Sequence, residues 1–276
     1  MELLIEIPRN KWTNLRDLYK AVWPEGLVAY CVLDTQIANP TLGDIVNFKV
    51  YSPEGDINNG MVATTDLFGY YQVLIHPIRD IKKIYEALQN TNIINWDRDI
   101  CVASASLHVV ECLKKLQKCG INIKIKTKAY KHFLDNTRQY DVSACPPEFY
   151  VAPLKPEYIS LIDKTWTYHG ETTHKFFELL MNHGMTYVLY SIKDDEPISW
   201  VTVDVEGAFA HLYTVEGYRR LGYGEFITKY AANDLRSKGR NVLAYTVEGN
   251  RYPQQMFKKL GFRDIGMAQW IFLHKA

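Results

Sequence analysis

One stretch, LYTVEGYRRLGYGEFIT (residues 212–228), constrains the fold of this chain more than any other. Residues 212–215 are mostly apolar or β-branched, which is typical of a strand. Apolar residues recur at helical spacing from Phe226 onwards, and Gly239 stands where a helix is expected to end. Gly222 and Gly224, between these segments, let the backbone turn sharply. The stretch therefore predicts a strand, a tight loop and a helix in direct succession.

The loop, residues 219–224, has the composition of a pyrophosphate-binding site. N–H groups are free at a helix N-terminus, and the helix dipole favours an anion there. Arg219 and Arg220 add guanidinium groups that can bind phosphate through paired hydrogen bonds. The loop lacks the Lys-Ser or Lys-Thr pair of a Walker loop, and Ile227 replaces the third glycine of a dinucleotide-binding motif. What remains is the pattern RxxGxG; an ordinary glycine-rich turn is the alternative.

A second pattern follows the predicted helix. Residues 241–247 are predicted to form a strand, and NRYPQQMFKKLGF (residues 250–262) then reads as a short helix between Asn250 and a Gly-Phe pair. Pro253 suits the first position of that helix, and Gly261 suits its end. The two patterns, in this order, resemble the acyl-CoA-binding segments of the GNAT acyltransferases.

Composition excludes several other classes of protein. The chain is 47% hydrophobic and 23% charged, which is typical of a globular protein, and its net charge of +1 argues against broad nucleic-acid binding. Five cysteines without a CxxC spacing predict no zinc site and favour a reducing compartment. The start, MELLIEIPRN, has no secretory character, and no apolar run approaches the about 18 residues that span a membrane. We therefore expect a protein that binds no metal, no nucleic acid and no membrane. We expect it to be located in the cytoplasm, with the mitochondrion as the alternative. The sequence does not indicate the oligomeric state.

The order of predicted strands and helices indicates an α/β fold, with an α+β mixed sheet, in two domains. A length of 276 residues suits one large or two modest domains. Pro146-Pro147 marks a boundary, so the predicted domains are 1–145 and 146–276. The first contains neither pattern; within it, residues 27–34 are predicted to form a strand and the basic segment 128–140 a helix.

Over its whole length the chain resembles the glycine N-acyltransferase family. The resemblance rests on Ile93-Ile94-Asn95-Trp96, on Trp166 with His169-Gly170, on the strand from Pro197 to Trp200, and on Glu216-Gly217-Tyr218-Arg219 before the loop. It implies two GNAT-like domains in tandem, of which the N-terminal one is degenerate and the C-terminal one carries the acyl-CoA site. It also implies an acyltransferase that moves an acyl group from acyl-CoA (acetyl-CoA or longer), its co-substrate, to the amine of a small molecule such as glycine or another amino acid.

The resemblance also implies the residues of the site. In GNAT enzymes, backbone N–H groups of the strand before the loop face the thioester carbonyl and the pantetheine arm. Trp166 and His169 are predicted to bind the acceptor, with aromatic packing as the alternative for this turn, and Asn250 to hold the pantetheine arm, with helix capping as its alternative. The predicted acyl-CoA-binding residues are Leu212, Tyr213, Thr214, Val215, Arg219, Arg220, Leu221, Gly222, Tyr223, Gly224, Asn250 and Phe257.

The general base is not fixed by the pattern. The position of the family's glutamate falls on Ala208. Glu206 has the same strand parity but lies in a predicted turn, whereas His211 has a suitable intrinsic pKa but the opposite parity. Glu206 and His211 are therefore the candidate catalytic residues, with water or another loop as the alternative. Phe257 replaces the tyrosine that protonates the thiolate in many GNAT enzymes, so two other functions stay open: a non-catalytic acyl-CoA-binding module and a protein N-acetyltransferase.

Overall fold

The computed structural model describes residues 2–116, 120–135, 139–142 and 145–275. The chain divides into two compact units, which we call unit one (residues 1–131, 247–249 and 265–276) and unit two (residues 132–246 and 250–264). These bounds differ from the predicted domain limits, because the end of the chain belongs to unit one. A boundary near residue 145 between independently folding domains stays a prediction.

Secondary structure follows the predicted order over most of the chain. The strands are β1 (Leu4–Glu6), β2 (Lys49–Pro53), β3 (Gly60–Leu67), β4 (Tyr70–Pro77), β5 (Ile100–Ala105), β6 (Ile121–Leu134), β7 (Phe149–Ala152), β8 (Thr186–Ser191), β9 (Pro197–Val203), β10 (Ala208–Thr214), β11 (Val242–Val247) and β12 (Arg263–Lys275). The helices are α1 (Trp12–Ala21), α2 (Leu27–Ala38), α3 (Pro40–Ile45), α4 (Lys82–Asn90), α5 (Leu107–Leu116), α6 (Ile159–Thr165), α7 (Thr173–Asn182), α8 (Tyr223–Ser237) and α9 (Arg251–Lys259). None of these helices is both long and apolar enough to cross a membrane, within the residues that the structure describes.

Unit one is built on a mixed sheet in the strand order β1-β2-β3-β4-β5-β12. The strands from β1 to β4 are antiparallel to their neighbours, and β4 runs parallel to β5. The last strand, β12, pairs antiparallel with β5, where Phe272 stands opposite Cys101. Ile271 and Leu273 of β12 are buried in the core of this unit. The sheet that begins at residue 4 is therefore completed by the final strand of the chain.

Unit two has the corresponding arrangement. Its strand order is β7-β8-β9-β10-β11, and the last residues of β6 lie beside β11. The strands from β7 to β10 are antiparallel, whereas β10 and β11 are parallel. Trp200, Tyr190 and Phe177 are among the largest fully buried side chains of its core. Each unit thus follows the same order of one strand, helices, three strands, helix, strand and helix, and the predicted α/β fold with a mixed sheet is confirmed.

Two predicted elements are wrong. Residues 27–34 form part of helix α2, not a strand, and six of its apolar residues are buried around most of its circumference. An apolar run without periodicity cannot distinguish a buried helix from a buried strand. The segment predicted as a helix from residue 128 to 140 continues strand β6 to Leu134, and residues 136–138 lie outside the described residues. Here pairing with the neighbouring strands of the sheet determines the secondary structure, although the basic, polar composition suggests an exposed helix.

Candidate active site

Strand β10 separates from β11 before it ends. Within the described residues it pairs with β11 at Ala208 and Phe209 only, whereas its pairing with β9 continues to Thr214. A β-bulge lies between Ala210, which pairs with Thr202, and Tyr213, which pairs with Trp200. Over this interval β10 therefore has one residue more than β9. Residues 210–214 are half-buried although β10 is an inner strand of its sheet. The result is an opening along the edge of β10 that faces β11.

Side chains of β9 hold the bulge on its other edge. The Ser199 hydroxyl donates to the carbonyl oxygen of Tyr213 at 2.9 Å, and the Thr202 hydroxyl donates to that of Ala210 at 3.0 Å. The N–H of Val215 donates to the Ile198 carbonyl at 2.9 Å, so this predicted ligand-binding N–H is already used. Because backbone groups alternate along an antiparallel strand, the N–H of Thr214 points to the opposite edge, toward the opening.

The glycine loop forms the N-terminus of helix α8. Gly222 is the N-cap residue with φ of +89°, a left-handed conformation that glycine adopts without steric cost. It has no side chain to bond the first-turn N–H groups, so these remain available to an anion. A Cβ atom at Gly224 would lie 3.2 Å from the Thr214 hydroxyl, so a small residue is needed where the helix passes the end of β10. Tyr223 packs against Phe149, with ring centroids 4.8 Å apart.

Arg219 turns back over the end of β10. Its Nε donates to the Thr214 carbonyl at 3.1 Å, and its guanidinium carbon lies 5.4 Å from the centre of the Tyr213 ring. Both Arg219 and Arg220 are exposed, as is Leu221, and Arg220 has a left-handed backbone with φ of +63°. Two exposed guanidinium groups, of which that of Arg219 is held by a hydrogen bond, thus lie near an uncapped helix N-terminus. This arrangement suits a phosphate group.

The corresponding helix of unit one, α4, has a different N-terminus. The Asp80 carboxylate accepts the N–H of Lys82 at 3.0 Å. A side-chain anion at this end already satisfies the helix dipole and one free N–H group. A phosphate would have to displace this carboxylate. Within the described residues no side chain bonds the N-cap of α8, and the Glu225 carboxylate in its first turn is paired with Lys259.

The second sequence pattern yields one exposed and one buried residue. Asn250 is the N-cap residue of α9, but its exposed side chain makes no capping bond, and Pro253 is the third helical residue rather than the first. The amide of Asn250 therefore remains available to a ligand. Phe257 is buried, and its ring stacks on His132 with centroids 5.4 Å apart. It packs in the core of unit two and offers no polar group to protonate a thiolate.

His211 lies in the bulge, with φ of +44°. Its Nε2 is 2.8 Å from the Ile162 carbonyl oxygen and 3.3 Å from the Thr165 hydroxyl. That hydroxyl donates its hydrogen to carbonyls of α6, so both partners of Nε2 act as acceptors. Nε2 must therefore carry the ring proton, which leaves a lone pair on Nδ1. Burial lowers the pKa of His211 to about 4, so the ring is neutral at pH 7.

Aromatic rings surround the His211 imidazole. Those of Phe177, Trp200, Tyr213 and Trp166 have centroids 5.4, 5.9, 6.1 and 6.1 Å from it. The bulge inserts an extra residue, so the simple alternation on which the parity argument against His211 rests does not hold here. Trp166, a predicted acceptor-binding residue, therefore lies in contact with a predicted base. The sequence carried no signal for the bulge or for Trp200 as part of this cluster.

His169, the other predicted acceptor-binding residue, lies in the turn between α6 and α7. Its Nδ1 is 2.9 Å from an oxygen of Asp163, and Asp163 also accepts the hydroxyl of Thr173. Asp163 is buried, whereas His169 is exposed. Asp163, which sequence reasoning missed, thus fixes the turn that carries both Trp166 and His169.

Glu206 lies away from this cluster. It is buried in the turn before β10, outside the strand and at the end remote from the bulge that contains His211. Its N–H and that of Ala208 both donate to Asp204, and burial raises the pKa of the Asp204 carboxyl. Ala208 itself is completely buried. The structure therefore brings His211, and not Glu206, next to the opening in β10.

Comparisons with known proteins agree with this architecture. Residues 189–271 match the model of a family described as FR47-like protein. The mouse glycine N-acyltransferase is 22% identical over 212 residues, which cover 70% of this chain and 71% of that protein. A solved Drosophila protein superposes with a TM-score of 0.86 over 99% of both chains at 17% identity. A tandem GNAT protein from the clavulanic acid biosynthesis pathway has a TM-score of 0.57 and 14% identity, covering 99% of this chain and 98% of its own.

These likenesses confirm the fold that the sequence predicts. The chain has the fold of tandem GNAT proteins, and the match to the mouse enzyme agrees with the resemblance to glycine N-acyltransferases. At sequence identities this low, similarity to solved structures establishes the fold but does not identify a substrate.

Proposed function

We propose that this protein is an acyl-CoA-dependent N-acyltransferase that acylates the amine of a small molecule. The observation that carries the proposal is the opening of β10 from β11 directly beside the uncapped N-terminus of α8. Residues 219–224 and the first turn of α8 would hold the pyrophosphate, and Asn250 would bond the pantetheine arm. The thioester carbonyl would then lie in the opening, where the N–H of Thr214 can stabilise the oxyanion.

His211 is the base that we propose for this reaction. The amine nitrogen attacks the thioester carbon, a C–N bond forms, and the C–S bond breaks to release CoA as a thiolate. Nδ1 of His211 takes the proton from the attacking amine and passes it to the thiolate or to water. No acidic side chain is therefore required at the position that Phe257 occupies. The depressed pKa keeps Nδ1 unprotonated at neutral pH, and an amine that has attacked a carbonyl is a far stronger acid than a free ammonium ion.

A non-catalytic acyl-CoA-binding module is the second candidate function. It is favoured by the buried Ala208 at the glutamate position and by the buried Phe257 at the tyrosine position. Both residues lack the ionisable groups that GNAT enzymes are expected to use there. This candidate shares the phosphate-binding loop with the first and differs from it in turnover alone. Acylation of a protein amine, the other alternative, has no specific observation in its favour.

Thiol release from acetyl-CoA and bulkier acyl-CoAs, with and without a panel of amino acids and simple amines, tests the proposal. We expect release that depends on the amine and yields the N-acylated product by mass spectrometry. Tight CoA binding without release on any amine would support the binding module. Absence of CoA binding would reject both candidates, because both depend on the same loop.

A further inference from the structure

Three aromatic side chains form an accessible wall beside His211. The Trp166 ring stacks almost parallel on Phe176, with centroids 5.6 Å apart, and meets Tyr168 edge-on at 5.8 Å. Trp166 and Phe176 are half-buried, and Tyr168 is 48% exposed. The Trp166 centroid lies 6.1 Å from that of His211. Trp166, Tyr168 and Phe176, which we call the aromatic wall, therefore extend from the candidate base toward solvent.

Core packing in this part of unit two is supplied by other groups. Phe177, the residue after Phe176, is fully buried and packs against Trp166 and His211, with centroids 5.2 and 5.4 Å away. Hydrogen bonds to the buried Asp163 hold the turn between α6 and α7. Aromatic rings that remain partly exposed beside a candidate catalytic group are typical of the lining of a small-molecule site.

The charges around His211 favour a cation over an anion. Burial lowers the pKa of His211, and the Asp163 carboxylate, which is the charged side chain that acts on this ring among the described residues, raises it. His169 pairs with the same carboxylate at 2.9 Å, so the net charge of the pair is zero or negative. The Nε of Arg219 is bonded to the Thr214 carbonyl. A carboxylate beside the reacting nitrogen would therefore lose its hydration against aromatic faces and an acidic group.

We propose that the acceptor is a primary amine that carries an aromatic ring and no carboxylate, and that the aromatic wall binds this ring. The inference rests on the proposed function, in which the amine nitrogen faces Nδ1 of His211. Both hydrogen bonds of the imidazole involve Nε2, so Nδ1 is open to that nitrogen. The ammonium form of the amine is attracted to aromatic faces as it arrives, and its ring packs against Trp166 and Phe176. Glycine, which has a carboxylate and no ring, is a poor acceptor on this assignment.

Three amines test the two parts of this proposal. Phenethylamine and phenylalanine share the ring and differ by the carboxylate, whereas ethylamine lacks the ring. We expect kcat/KM for phenethylamine to exceed the values for both other amines by about tenfold. A higher kcat/KM for phenylalanine or for glycine would overturn the proposal. Equal values for phenethylamine and ethylamine would show that the wall does not bind the acceptor and would also overturn it.

Phe176→Leu removes one ring of the wall and keeps an apolar side chain. We expect it to lower the ratio of kcat/KM for phenethylamine to that for ethylamine by about tenfold, mainly through KM. Tyr158→Leu is the matched control, because Tyr158 is a half-buried ring of the same unit that packs on Tyr190, with centroids 5.9 Å apart. Its ratio should equal that of wild type. An unchanged ratio in Phe176→Leu, or the same decrease in both variants, would contradict the role of the wall.

Failure of the proposed function can be recognised separately. If the protein binds acyl-CoA but transfers nothing, the affinities of the CoA-loaded protein for the same three amines, measured by calorimetry, replace the rates. Tighter binding of phenethylamine that Phe176→Leu removes would then support the wall while rejecting catalysis, and equal affinities would overturn the inference. Transfer to glycine in preference to phenethylamine would support the proposed function and overturn the inference alone.

Discussion

Two glycines with left-handed backbones frame helix α8, and only one of them lies in the phosphate-binding loop. Gly222 precedes the helix with φ of +89°, and Gly239 follows it with φ of +72°. A Cβ atom at either position would meet no atom within 4 Å. An alanine at either site is therefore disfavoured by backbone strain alone, and the two positions form a matched pair.

We expect Gly222→Ala and Gly239→Ala each to reduce the free energy of unfolding by about 1 kcal/mol. Only Gly222→Ala should weaken CoA binding, because the altered backbone redirects the N–H groups that face the pyrophosphate. Chemical denaturation gives the stabilities, and calorimetry gives the Kd for CoA. Equal affinity of the two variants for CoA would show that the glycine loop does not bind CoA.

A second prediction at the residue scale concerns His211. Glutamine can still donate its amide N–H to the Ile162 carbonyl but offers no base at the position of Nδ1. We expect His211→Gln to lower kcat by about 10² to 10⁴ while the Kd for acyl-CoA changes little. Initial rates of thiol release and equilibrium binding measure the two quantities.

Glu206→Gln is the control for this prediction, because it alters the other candidate base in the turn that precedes β10. Its kcat should stay within a few-fold of wild type. A large loss of kcat in Glu206→Gln, with a normal kcat in His211→Gln, would mean that Glu206 and not His211 is the general base.

At the scale of elements, the turn between α6 and α7 depends on a single buried carboxylate. Asp163 accepts from His169 Nδ1 and from the Thr173 hydroxyl, and the same turn places Trp166 against His211. Fixing the turn therefore also fixes one wall of the aromatic cluster. This links the stability of a helix pair to the geometry of the candidate acceptor site.

We expect Asp163→Ala to cost about 2 kcal/mol of unfolding free energy, since hydrogen bonds to a buried charged group are lost. It should also raise the KM for the amine and leave the Kd for acyl-CoA unchanged. Asp195→Ala is the control, because Asp195 holds Lys155 and Tyr150 in an exposed cluster of the same unit. Similar KM values in both variants would separate the α6–α7 turn from acceptor binding.

At the scale of the whole molecule, the final strand completes the sheet of unit one. Ile271 is fully buried and stands opposite Val102 of β5. Stability of the first unit therefore depends on residues more than 150 positions away in the chain. The N-terminal part alone would leave the edge of β5 without its partner strand.

We expect Ile271→Ala to destabilise unit one by about 2 to 5 kcal/mol. Amide hydrogen exchange should rise in β4 and β5, and less in β10 and β11. Val242→Ala, on the fully buried β11 residue of unit two, should give the opposite pattern. The same exchange pattern in both variants would mean that the two units unfold as one.

Much of this architecture could be predicted from local signals. The strand, glycine loop and helix of residues 212–228 were predicted in order, as was the helix that follows Asn250. The errors fall where local pattern has no discriminating power: α2 is apolar around most of its surface, and β6 is polar but paired on both sides. The bulge at His211 was not predictable, because one inserted residue leaves no mark in the composition of a strand.

The sequence by itself determined the mixed α/β fold and the glycine loop, because helical periodicity, β-branched runs and glycine at left-handed positions act over a few residues. Tertiary structure alone decided which candidate base meets the opening, since that depends on the register of β10 against β9. It also decided that Phe257 is buried, that Asp163 fixes the acceptor turn and that β12 completes unit one. Each of these depends on which distant segments pack together, and such pairings are set by the burial of the whole chain.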